Sequence, residues 1–140
     1  MSVAQFHLDM TGGESVRFTG RIVASVTGWK QNGSDRLRWH DLYVYQTTGG
    51  DIYVSVIYRT LAKRERDFLW YAALGKDPTA MSTILMQYDP LKRLLHPPRR
   101  TGRVDPRRLQ AAADVGARYL QRVGELIKVV SKLHSEATRS

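Results

Sequence analysis

The chain has 140 residues, 42% hydrophobic and 25% charged, with no cysteine and a formal net charge of +9. That length suits one domain and that apolar content argues against wholesale disorder, while the lack of thiols excludes disulfides, thiolate metal sites and cysteine nucleophiles. No run approaches the roughly 20 apolar residues that span a bilayer, and Met1-Ser2-Val3-Ala4 does not open a basic-then-apolar leader, so the expected location is the cytoplasm, with no membrane partner.

In chain order, Gln5–Met10 reads as a first strand that turns through Thr11-Gly12-Gly13 into a long strand from Ser15 to Trp29. There Val16, Phe18, Ile22, Ala24 and Val26 alternate with Arg17, Thr19, Arg21, Ser25 and Thr27, the period-two pattern of a half-buried antiparallel strand. Gly20 interrupts the apolar row and marks a place for a bulge or bend. After the polar loop Gln31–Asp35, Leu37–Thr60 is the strongest local signal, two runs of β-branched and aromatic residues flanking Gly49-Gly50, hence a β-hairpin. Thr-Gly-Gly followed by an acid occurs at Thr11–Glu14 and again at Thr48–Asp51, which reads as shared turn chemistry. A two-residue closure of the hairpin would put Trp39, Tyr43 and Tyr45 with Ile52, Val54, Val56 and Tyr58 on the core face. A slip of one residue exchanges the faces.

Beyond Thr60 the pattern changes. Leu61–Gly75 fits a short helix or a fifth strand, and Asp77-Pro78-Thr79 starts a helix that ends at Asp89-Pro90. Residues 91–108 form a basic connector carrying Lys92, Arg93, Arg99, Arg100, Arg103, Arg107 and Arg108, opposed by Asp105 alone. The last element, over 105–138, is a helix: Leu109, Ala112, Gly116, Tyr119, Val123, Leu126, Val130 and Leu133 recur at spacings of three and four, widened by Ala113, Leu120 and Ile127. Such a helix outruns a small sheet, so Tyr119, Val123, Leu126, Val130 and Leu133 are expected to seat a second copy, giving a homodimer or higher oligomer.

The fold class expected is α+β. It is a single domain with an antiparallel four- or five-stranded meander over 1–60, a short helical region over 61–90, and a long C-terminal helix packed on one sheet face. This order of strands and helix is similar to the plan of small basic single-strand-binding proteins of the Whirly and PUR type, which implies a nucleic-acid ligand.

Charge points the same way. Residues 1–60 hold six Lys and Arg against five acids, and residues 61–140 hold sixteen against eight. A polyanion, DNA or RNA, suits that excess. On the sheet, Arg17, Arg21, Arg38, His40, Tyr53 and Arg59 are the expected contacts, cations holding phosphates while a base stacks on the tyrosine, with the basic connector touching phosphates alone. No cofactor or metal is expected: His7, His40, His96 and His134 are far apart, and Gly75-Lys76 lacks the upstream glycine and following Ser or Thr of a phosphate-binding loop. Two other classes remain. One is a protein-interaction or assembly module, antitoxin-like or a complex subunit, using the helix; the other is a metal-free ribonuclease built from His40, Arg59, Tyr53 and Arg21.

Overall fold

Two turns with the same pair of backbone hydrogen bonds close two of the hairpins of the sheet. Met10 N donates to Glu14 O at 3.0 Å and Gly13 N to Met10 O at 2.9 Å; Thr47 N donates to Asp51 O at 2.8 Å and Gly50 N to Thr47 O at 3.0 Å. The repeated Thr-Gly-Gly-acid motif is therefore turn chemistry. Gly50, with φ of 92°, is the left-handed residue of its three-residue loop, a conformation its counterpart Gly13 does not share.

The computed structural model describes residues 3–11, 13–29, 37–91 and 106–139, the side chains at 108 and beyond 133 excepted. Strands β1 (Ala4–Asp9), β2 (Ser15–Thr27), β3 (Arg38–Thr47), β4 (Ile52–Thr60) and β5 (Phe68–Gly75) form one antiparallel meander in the order β1-β2-β3-β4-β5. A 3-10 turn (Pro78–Ala80), a short helix α1 (Met81–Leu85) and a 34-residue helix α2 (Pro106–Arg139) follow. The ambiguous stretch after Thr60 thus resolves as a fifth strand, with Val54 paired to Ala72 and Val56 to Trp70. Asp77 caps the turn by accepting from Thr79 N at 2.9 Å, and the helix expected from there closes after two short turns.

The three-residue loop corrects the expected hairpin register. His40 pairs with Tyr58, Leu42 with Val56, Val44 with Val54 and Gln46 with Ile52, so even positions share a face with even ones. Trp39, Tyr43 and Tyr45 instead lie with Tyr53, Ser55, Ile57 and Arg59. The core face is the other one: Leu42, Val54 and Val56 are fully buried under the helices with Val44, Met81, Leu85, Tyr119, Val123 and Leu126. Burying each such side chain contributes about 1.5–3 kcal/mol, and that lays α2 along the sheet.

β2 departs from its simple alternation as well. A register shift falls between Ile22 and Ala24, so Ile22 pairs with Tyr45 whereas Ala24 pairs with Val44 and Val26 with Leu42. One apolar row therefore serves both sides of the sheet: Ala24 and Val26 under α2, and Phe18 and Ile22 on the side of Tyr45. Gly20 lies three residues before that shift, where a Cβ would stand 2.3 Å from Gln46 O, so close strand approach explains the glycine. The sheet also curls. Thr11 N donates to Leu69 O and Leu69 N to Thr11 Oγ1, both at 3.0 Å, tying the β1–β2 turn to the start of β5. The curl lets Phe18 stack on Tyr53 with ring centroids 4.8 Å apart.

Candidate nucleic-acid interface

The six sheet residues expected to meet a ligand do not gather on one surface. His40 sits in β3 on the helix side, 2% exposed, with Nε2 3.0 Å from Tyr88 Oη and its ring against Tyr58 and Tyr119. Burial first, and the nearby Arg118 charge second, push its imidazole down to about 3. It is a neutral core residue, out of reach of any surface ligand. Tyr53 and Arg59 point from the opposite side, so the His40, Arg59, Tyr53 and Arg21 set considered for a ribonuclease is split between two faces.

Two of the arginines are bound by acids. Arg38 forks onto Glu65, Nε to Oε1 at 3.0 Å and Nη2 to Oε2 at 2.6 Å, and its carbonyl accepts from Arg118 Nη2 at 2.8 Å. Glu65 also accepts from Tyr58 Oη at 2.7 Å and Thr60 Oγ1 at 3.0 Å. Burial alone would raise the Glu65 carboxyl, but the bonds from Arg38 and Tyr58 outweigh it and hold the group below the usual range. Arg59 reaches Asp41 at 3.3 Å and Asp67 at 3.1 Å, and Asp41 accepts from Thr27 Oγ1 as well. Arg17 and Arg21 are exposed on β2, Arg17 across from His7 and Arg21 across from Gln46.

Arg107 is exposed in the first turn of α2. Lys92, Arg93, Arg99, Arg100 and Arg103 lie outside the described residues, as does the side chain of Arg108. Thirteen Lys and Arg stand against ten acids among the described side chains, leaving nine against three for the rest of the chain. The described part is thus close to charge-balanced, and two thirds of the +9 excess belongs to the remaining positions.

The residues expected at an oligomer interface divide too. Tyr119, Val123 and Leu126 are 1%, 5% and 0% exposed because they pack on the protein's own sheet, and Tyr119 Oη donates to Leu85 O at 2.7 Å. Val130 is half-buried against the same core, while Leu133 remains 42% exposed. No protein-family model, curated protein or solved structure matches this chain.

Two features were not anticipated. The sheet face away from α2 carries Phe6, Phe18, Tyr43, Tyr53 and Tyr71, all half-buried, around a buried Tyr45 whose hydroxyl lies 3.1 Å from Ser55 Oγ. The odd-numbered tyrosines of β3 to β5 signalled that face once the register was known. The second is an apolar groove of about 570 Å³ between Met86–Leu91 and the Ala112–Leu120 stretch of α2. The breadth of the helical stripe signalled it, being wider than one sheet contact needs. Among the described residues, no group of three or more His, Asp and Glu side chains is placed to hold a metal ion.

Proposed function

We propose that the protein is a non-enzymatic nucleic-acid-binding protein that prefers single strands, reads no sequence, works in the cytoplasm and acts as a homo-oligomer. The observation that carries the reading is where the unbalanced charge lies. Arg38, Arg59, Arg118 and Arg122 hold acids within the body, at Glu65, Asp41 with Asp67, Asp114 and Glu125. Residues 91–108, with seven Lys and Arg against one acid, begin at the α2 groove and end in the first turn of α2. Cations already engaged by acids add little to phosphate binding, whereas a run with a single acid releases counterions from a polyanion at each phosphate it meets. Tyr53 is already stacked on Phe18, but the half-exposed rings of Tyr43 and Tyr71 on the sheet face away from α2 favour single strands, whose bases can stack.

Fluorescence anisotropy with single-stranded and duplex oligonucleotides over a salt series tests this. The expected result is single-strand affinity that falls steeply with salt. Replacing Lys92, Arg93, Arg99, Arg100 and Arg103 by neutral residues should make that dependence shallower, by about 0.7 in slope for each phosphate left without its cation. No binding at low salt would overturn the reading in favour of a protein-interaction module, which the apolar groove supports.

A further inference from the structure

One end of the sheet displays large apolar side chains that the core does not take in. Trp29 follows β2, its N donating to Thr27 Oγ1 at 3.1 Å, and its ring meets that of Trp39 with centroids 4.4 Å apart. Trp29 is nevertheless 42% exposed. At the same end Leu61 N donates to Leu37 O at 2.8 Å, and those two leucines are 61% and 47% exposed. The indole pair lies on the side away from α2, since Trp39 pairs with Arg59, and the half-exposed Tyr43 continues that side along β3.

The loop from Leu61 to Asp67 sorts its charges. Glu65 turns inward onto Arg38, Tyr58 and Thr60, and Asp67 onto Arg59 and Thr60 N, so both acids hold the loop to the sheet. Lys63, Arg64 and Arg66 stay exposed, and none of the three makes an ion pair among the described residues. Lys63 and Arg64 are the central residues of a tight turn that Glu65 N closes on Ala62 O at 3.3 Å. Arg64 has φ of 67°, at a position where such a turn ordinarily takes glycine. A cation is thus held out on a backbone that favours having no side chain there.

We propose that this end of the sheet is where a single strand docks: a nucleobase stacks on Trp29 while Lys63, Arg64 and Arg66 hold the adjoining phosphates. The inference rests on the nucleic-acid reading above and gives it a location. Neighbouring strands are about 4.8 Å apart, so the end of β2 and the loop after β4 stand about 10 Å apart, within reach of one short stretch of polynucleotide. Arg59 lies between them but is held by Asp41 and Asp67, so the loop supplies the positive charge. An indole seated on another ring offers every base the same surface, and cations on a fixed turn meet phosphates without reading sequence.

The chain has three tryptophans, so intrinsic fluorescence reports on the site. A single-stranded oligonucleotide at low salt should quench it, and Trp29→Phe should remove most of that quenching while binding, followed by anisotropy, continues. Trp29→Ala should weaken single-strand binding about tenfold. Lys63→Ala, Arg64→Ala and Arg66→Ala together should make the salt dependence shallower by about 2 in slope and leave the quenching at saturation unchanged. Unchanged affinity in Trp29→Ala or in the triple variant, or quenching that survives Trp29→Phe, overturns the inference alone and leaves the basic connector to carry the binding. No oligonucleotide binding at low salt overturns the inference and the nucleic-acid reading together, and quenching by vesicles of anionic phospholipid would then assign this end to a lipid surface. Should Trp29→Ala fail to fold, Trp29→Phe and the triple variant decide the matter.

Discussion

The two sides of the sheet draw on one period-two pattern and end up different. Under α1 and α2, Leu42, Val44, Val54 and Val56 are at most 2% exposed. On the other side Phe6, Phe18, Tyr43, Tyr53 and Tyr71 remain half-exposed beneath the curl of the β1–β2 hairpin, although their rings are larger. Residue type does not decide which side becomes the closed core. Coverage does: a rigid helix seals its face, whereas a hairpin fastened at its tip leaves gaps around bulky rings.

The sharpest way to break that contrast is truncation on each side. Leu126→Ala, at a position with 0% exposure, should cost about 3 kcal/mol in urea unfolding, and Phe18→Ala about half as much because the site is already partly solvated. Equal losses would show the aromatic side to be a second closed core. Acid probes the helix side alone. With a folded value near 3 against an unfolded 6.5, the unfolded chain takes a proton first at His40. Its contribution is complete above pH 6.5 and is lost as pH falls toward 3, at about 1.4 kcal/mol per unit once well below 6.5.

Glu65 adds to this loss only below its unfolded value of 4.5, so melting between pH 6.5 and 4.5 reports His40, and His40→Gln should flatten that window. Glu65→Gln at neutral pH should cost about 2 kcal/mol, since it leaves a largely buried Arg38 and Tyr58 with weakened partners. Least affected should be Arg17→Ala and Arg21→Ala, within about 0.5 kcal/mol by thermal melting, because both side chains stand in solvent.

The first four strands, the two Thr-Gly-Gly turns and the span of α2 were legible in the sequence because each rests on local chemistry; the fifth strand, inside a stretch assigned to a short helical region, was not. Nor was the face assignment. A two-residue and a three-residue closure of Gly49-Gly50 use the same residue types and differ in parity, and that single residue moved His40 from the surface to the core. The shift after Ile22 was hidden for the same reason, since a bulge preserves an alternating string while turning half of it over. Partners of the arginines were beyond sequence reach as well: Arg38 meets Glu65 across 27 positions and Arg59 meets Asp41 across 18. The stripe on α2 was visible, but its division between a sheet contact and an open groove depends on where the helix sits.

The fastening of Thr11 to Leu69 bears on how this molecule behaves at high concentration. A meander ends in two rows of unpaired amides and carbonyls, each a template on which a further strand can grow. Here the corner of one border is joined to the beginning of the other, so neither offers a long straight ledge, and Thr11→Val, which removes the hydroxyl that Leu69 N uses, is where fibrous association should first appear.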